Sequence, residues 1–169
     1  KLYVQKSQQL KEAQTATLLQ EQTNNEETKN VVLADGTKVK LYQGSVLLYS
    51  SAFNKTEERR VFLSGEAFFD IKHNDARPFR VRTSHFKITD LGTSFAVSSY
   101  TDDNEVSATL KTGKIELCIL GQEDKIYHLN PNDQLIYNVK TKEVNLRKVP
   151  DGFDGISWHN KKIDLNDVT

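Results

Sequence analysis

The stretch "LSGEAFFDIKHNDARPFRV", Leu63 to Val81, decides how the chain is read. It places Glu66 and Asp70 near Phe68, Phe69, Phe79 and His73, a grouping that suits either an acid/base pair with aromatic walls or the two faces of a β-strand. Parity separates the two readings. Val61, Leu63, Gly65, Ala67, Phe69 and Ile71 share one parity, while Arg60, Phe62, Ser64, Glu66, Phe68, Asp70 and Lys72 share the other. One face is apolar and the other mixed, which is strand alternation. Four residues at roughly 3.3 Å each separate Glu66 from Asp70 by roughly 13 Å along a strand, beyond the roughly 5–9.5 Å at which paired glycosidase carboxylates work. The pair is read as strand surface. Gly65, in mid-strand, marks a bulge or bend.

The same pattern extends along the chain. "VVLADGTKVKLYQGSVLLYS" (31–50) carries turn signals at Asp35-Gly36 and Gln43-Gly44-Ser45 between β-branched runs; Asp-Gly suits the positive φ that hairpin turns need. His73 to Pro78 reads as a loop, and "FRVRT" (79–83) alternates with Phe79 and Val81 in and Arg80 and Arg82 out. In "HFKITDLGTSFAVSSY" (85–100), Phe86 and Ile88 are even whereas Leu91, Phe95 and Val97 are odd, so a bulge or corner is expected over Thr89 to Thr93, with Gly92 letting the backbone turn. Further strands follow at Val106–Leu110, Ile115–Ile119 and beyond, with "KTG" (111–113) and Asn130 to Asp133 as turns. Strand after strand with no long amphipathic helix between predicts an all-β domain: an antiparallel two-sheet sandwich or roll, or a short solenoid.

The ends differ. Residues 1–30 are polar, and Leu2, Leu10, Leu18 and Leu19 are too sparse for a core-facing stripe. A helix over about 5–21 and a polar linker through Asn30 are expected, as a membrane-adjacent stalk or an interaction helix. After Pro150, "DGFDG" forms two turns before a new element around Trp158. The expected organisation is therefore 1–30 stalk, 31–150 β domain, and 151–169 linker with the start of a further domain. With no methionine in 169 residues, the chain is expected to be a piece of a longer protein. No secretory leader is visible, and no apolar run reaches the roughly 18 residues that span a bilayer.

Lys+Arg and Asp+Glu balance at 23 each, which gives no overall electrostatic reason to expect nucleic acid or an anionic membrane as partner. Cys118, the single cysteine, cannot form an internal disulfide and reads as a small apolar residue. His73, His85, His128 and His159 show no metal-ligand spacing. "GEAFF" and "LNPNDQ" loosely resemble cupin barrels, but the closely spaced histidines of that family's metal site are missing. No phosphate loop or nucleophile elbow is present. No catalytic residue, cofactor or metal is assigned. Lys55, Arg59 and Arg60 beside Glu57 and Glu58 read as a solvated, locally neutral surface.

Taken in order, "VVLADGTKVKLYQGSVLLYSSAF", "RRVFLSGEAFFDI", "RPFRVRTSHFKITDLGTSFAVSSY", "VSATLKTGKIEL" and "LNPNDQLIYN" closely resemble the periplasmic domain of FecR-type anti-sigma regulators of Bacteroidetes style. The motif positions are Asp35, Gly36, Gly65, Glu66, Phe69, Asp70, Pro78, Phe79, Leu91, Gly92, Thr93 and Phe95. Ala34 stands where that family usually has proline, and Asn132-Asp133 where a glycine turn is common. The resemblance implies a non-enzymatic, single-span inner-membrane protein with this part in the periplasm and residues 1–30 as the juxtamembrane segment. It implies an absent cytoplasmic part holding an extracytoplasmic-function sigma factor, and a partner in the signalling domain of a TonB-dependent outer-membrane transporter. Contact is expected through an open strand edge or the mixed face carrying Phe62, Glu66, Phe68 and Asp70. The aromatic set Tyr49, Phe53, Phe62 and Phe68 motivates an alternative, a domain that senses a glycan or siderophore directly. A cupin-like enzyme is a further alternative.

Overall fold

The structure is a computed structural model that describes residues 3–8 and 16–156. Its strands are β1 (Leu18–Gln22), β2 (Lys29–Val32), β3 (Lys38–Leu41), β4 (Val46–Ser50), β5 (Arg59–Asp70), β6 (Phe79–Arg82), β7 (Phe86–Asp90), β8 (Ser94–Ser99), β9 (Glu105–Thr112), β10 (Ile115–Ile119), β11 (Tyr127–Leu129), β12 (Asp133–Asn138) and β13 (Val144–Lys148). One 3-10 turn, Phe53–Lys55, precedes β5.

All the strands belong to two layers that share β5. The first layer runs β1-β4-β5-β6-β7-β10-β11 and the second β2-β3-β5-β8-β9-β12-β13. Residues Arg59 to Ser64 pair with β4 and β6 in the first layer; Gly65 to Asp70 pair with β3 and β8 in the second. Every pairing is antiparallel except β5 with β6, which is parallel. The all-β two-layer expectation is met, with that one parallel pair added.

The apolar parity of β5 explains the core. Val61, Leu63, Ala67, Phe69 and Ile71 are all buried and join inward residues of both layers, among them Leu47, Phe79, Ile88, Phe95, Leu110 and Leu135. Phe69 stacks on Phe95 with centroids 5.3 Å apart and meets Phe79 edge-on at 6.3 Å, the offset and T-shaped geometries that aromatic quadrupoles favour.

Gly65 is the corner where β5 leaves one layer for the other. Its φ is +112°, and a Cβ there would lie 2.3 Å from the Oγ and 2.8 Å from the Cα of Ser45. Only glycine fits both constraints. The phase slip between Ile88 and Phe95 has the same kind of cause: β7 belongs to the first layer and β8 to the second, so Leu91 to Thr93 is a crossing, with a register shift at Ser94/Phe95. Gly92 serves this crossing differently from the expected role. Its backbone is not left-handed; a Cβ would sit 2.5 Å from the Cα of His73, so the requirement is close approach rather than a special turn. The Asp35-Gly36 hairpin between β2 and β3 is present, with Gly36 at φ +90°.

The N-terminal expectation needs correcting. Residues 3–8 are helical, and the rest of the expected 5–21 helix as far as residue 15 lies outside the described residues. Leu18–Gln22 is a strand, paired in register with Ser50 to Val46. Lys29 and Asn30 belong to β2 rather than to a linker. β1 buries little of its surface; the backbone edge of β4 holds it, and pairing of this kind leaves no apolar stripe for a sequence pattern to show. The element expected around Trp158 lies outside the described residues.

Gly65→Val should therefore destabilise the domain by about 3–5 kcal/mol, combining left-handed strain with the collision against Ser45. Urea unfolding followed by circular dichroism measures this; a loss below about 1 kcal/mol would show that the corner can be built without glycine.

Candidate functional site

The corner at Gly65 divides the mixed face of β5, and so separates the expected contact residues. Phe62 lies on the outer surface of the first layer, 37% exposed. Glu66, Phe68 and Asp70 lie in the second layer, opposite Ser98, Ala96 and Ser94 of β8. Glu66 is 0% exposed, so as the structure stands it offers a partner nothing, contrary to the surface role expected from its parity. Its backbone locks the corner: the Glu66 N–H donates to Ser45 Oγ at 2.8 Å, and its carbonyl accepts from the Tyr42 N–H at 2.9 Å. Phe68 is half-buried against Ile156. Asp70 is exposed, its Oδ1 3.4 Å from Ser94 Oγ.

The covering of Phe68 comes from the segment after Pro150. Ile156 is fully buried with Tyr42 and Ala96. Gly155 (φ +75°) lies against Thr109 and Ala96, where a Cβ would collide at 2.6 Å and 3.2 Å. Lys111 Nζ donates to the Phe153 carbonyl, and Asn132 Nδ2 to Asp151 Oδ1 at 2.7 Å. Residues 151–156 thus form a strap across the outer surface of the second layer. Beside it, burial and then the charge of Glu66 push the Tyr100 phenol up to about 12, a hydrogen bond with Ser45 offsets part of the rise, and Asp103 adds to it. The Tyr100 hydroxyl donates to the Gln43 carbonyl at 2.7 Å.

The motif residues converge on a side chain that the sequence reading placed at the surface. Arg59 is 0% exposed, with its charge inside the fold. Its Nη1 pairs with Asp35 Oδ2 at 2.9 Å and donates to the Lys72 carbonyl at 2.6 Å. Nε donates to the Arg77 carbonyl at 2.7 Å, and Nη2 to those of Asn74 and Leu91 at 3.5 Å and 3.4 Å. The guanidinium lies 5.4 Å from the Phe79 ring centroid, and the Arg59 N–H donates to the Pro78 carbonyl at 2.8 Å. Asp35 is held for this by Thr37, whose N–H and hydroxyl donate to its carboxylate at 2.9 Å and 2.7 Å. Asp90 organises the neighbouring crossing by accepting from the N–H groups of Gly92 and Thr93 and the Thr93 hydroxyl. Asp35, Pro78, Phe79 and Leu91 thus surround one buried cation. The missed signal was parity: Arg59 is odd, the phase of Val61 and Leu63.

The aromatic set proposed for direct ligand sensing does not assemble. Phe53 is 3% exposed, edge-on to Phe79 at 5.7 Å and to Tyr49 at 6.3 Å. Phe68 lies under the strap and Phe62 on the other layer. An open groove of about 650 Å³ between β7, β10 and β11, lined by residues including Leu91, Lys114, Glu116 and His128, contains none of the four. His73 is near Asp75 at 3.1 Å, His128 is 3.9 Å from Glu116, and His85 faces Tyr137; His159 lies outside the described residues. Among the described residues no group of three or more His, Cys, Asp and Glu side chains is arranged to hold a metal. Cys118 is half-buried on the outer surface of the first layer, opposite Lys87.

Comparison with known proteins agrees with the motif order. The family model described as "FecR protein" matches residues 20–116, more than half of the chain, and the chain belongs to the FecR protein family. Two crystal structures of a "putative anti-sigma factor" from Parabacteroides distasonis ATCC 8503, at 2.50 Å and 1.65 Å resolution, are similar in fold and sequence. Identity is 34% to each, with TM-scores of 0.74 and 0.73, over 78% and 77% of this chain and 60% and 59% of those. The chain thus matches about three fifths of the length of these relatives. No curated protein matches it. Among the described residues no helix is long and apolar enough to cross a membrane.

Removing Asp35 strands the Arg59 cation in the core. Asp35→Ala should cost about 3–5 kcal/mol, and the Asp35→Ala/Arg59→Met double variant less than the sum of the singles; additive losses in urea unfolding would show that the two charges do not act as a pair. Tyr100 gives a pH signature. Its phenol is raised in the folded state, so the stability from keeping it neutral is complete below about pH 10 and is lost as pH rises through about 12. Stability measured from pH 9 to 12 should fall less steeply in Tyr100→Phe than in the parent; parallel curves would remove Tyr100 from the account.

Proposed function

We propose that this domain is the periplasmic, signal-receiving part of a membrane-anchored anti-sigma factor, a binding module rather than an enzyme. The observation that carries the reading is membership of the FecR family together with 34% identity to the Parabacteroides structures. In this reading an inner-membrane span precedes the domain, and a cytoplasmic part holds an extracytoplasmic-function sigma factor and so regulates transcription. The periplasmic partner is the signalling domain of a TonB-dependent transporter, whose state the domain relays inward. Residues before β1 act as the juxtamembrane connection, and the segment after the strap continues into a further C-terminal domain.

The architecture suits this task. Among the described residues, two layers that share one strand leave four edges, at β1, β2, β11 and β13. On the β1 edge Leu18 is 70% exposed and Leu19 is 41% exposed, so a partner strand could pair there. The strap supplies a second route, because a pull on the C-terminal segment acts directly on the second layer.

Titration of the purified periplasmic segment with the cognate transporter signalling domain, followed by calorimetry, tests the proposal. A saturable 1:1 complex with a dissociation constant in the nanomolar to micromolar range, about 10⁻⁹ to 10⁻⁶ M, is expected. Absence of binding to any signalling domain of the same organism would contradict it.

A further inference from the structure

The outer surface of the first layer has a pattern that neither the core nor the family motif requires. In register across β4, β5, β6 and β7 lie Leu48, Phe62, Arg82 and Lys87. In the adjoining row Arg60 lies beside Arg80. Four cations therefore border Phe62 on the outer surface of one layer.

Three acids face these four cations and leave an excess of one positive charge: Glu58, Glu123, and Glu116, which stands beside Thr89 in the row of Arg60 and Arg80. Glu58 bridges Arg60 at 2.7 Å and Arg80 at 2.9 Å. Burial alone would raise its carboxyl, but the bond from Arg60 and the charges of Arg60, Arg80 and Lys87 hold it below the usual range. Glu123 lies within the field of Arg82 and Lys87. Among the described residues neither Arg82 nor Lys87 makes an ion pair, though they are directly opposed across an antiparallel pair. The Nε of Arg80 is buried without a hydrogen-bond partner.

Like charges opposed in this way destabilise a sheet. Cations are often kept on edge strands to block aggregation, but β5, β6 and β7 are interior strands of their layer, so that purpose does not apply. We infer that this surface is a docking platform for an acidic protein surface that places an apolar group on Phe62. The inference rests on the proposed function and assigns the face and chemistry by which the signalling domain is held. Arginine forks take carboxylates in pairs, and an apolar centre with a charged rim is the ordinary anatomy of a protein interface. A lipid surface fits less well. Membrane binding by an apolar face requires burial to about 5–10 Å, and one phenylalanine that is 37% exposed offers little apolar area for it.

The experiment compares parent, Lys87→Glu, Arg82→Glu/Lys87→Glu and the distant control Lys140→Glu by calorimetry against the cognate signalling domain. Each is also mixed with vesicles containing 30% phosphatidylglycerol. The expected result is an affinity about tenfold weaker for Lys87→Glu, weaker still for the double variant, and unchanged for Lys140→Glu. Association with the parent should slow as salt rises. Because Lys87→Glu relieves the opposition to Arg82, its Tm should rise by about 1–4 °C while binding falls, so lost affinity cannot be put down to misfolding. If the parent binds and all variants bind equally, the platform is overturned and the proposed function stands. If the parent does not bind the signalling domain, the proposed function fails. Platform-dependent capture of the vesicles in either case would replace the protein partner with lipid and overturn the platform as stated. Binding to neither overturns it as well.

Discussion

The Arg59–Asp35 ion pair is the constraint on which the rest of the fold depends. A cation held wholly inside a protein costs several kcal/mol in lost hydration, which only a complete set of partners offsets. Arg59 has that set: one carboxylate, backbone carbonyls from the loop after β5 and the crossing after β7, and the face of Phe79. These partners lie on four separate segments, so the cation fixes the β2–β3 hairpin, the start of β6 and the crossing between the layers relative to one strand. Asp35 is thus more than a turn residue.

This pair and Gly65 divide the work of β5. Arg59 anchors the start of the strand, and Gly65 lets it leave one layer and enter the other within a single 12-residue run. The consequence reaches the functional surfaces. The outward side chains of β5 belong to two different faces: the first layer carries Phe62 among cations, and the second carries the buried Glu66 and, beneath the strap, Phe68. A partner that binds the first face and a C-terminal segment that holds the second would meet through the same strand, which suits a relay.

Much of this was legible in the sequence because strand alternation records burial directly. The parity of Val61 to Ile71, the slip after Ile88 and the Asp35-Gly36 turn all correspond to structural features, and the ordered motifs carried the family. Other features were hidden for physical reasons. Leu18–Gln22 is held by backbone pairing, which leaves no side-chain pattern. Arg59 was read by its charge and neighbours, although its parity pointed inward. Glu66 follows the outward parity yet is buried; alternation along one strand carries no information about what lies on top of it. The cationic platform is assembled by register among β5, β6 and β7, and Arg60, Arg80, Arg82 and Lys87 become neighbours only once those pairings are known.

The account's central claim is that the protein receives a partner on the outer surface of the first layer, over a strand pinned from within by Arg59. Amide hydrogen exchange of the domain, alone and with the signalling domain proposed as its partner, tests it most directly. The account predicts added protection centred on residues 60–62, 80–82 and 87–89, with residues 151–156 less affected. Protection confined to the strap and the second layer, with the β5–β7 amides of the first layer unchanged, would contradict it.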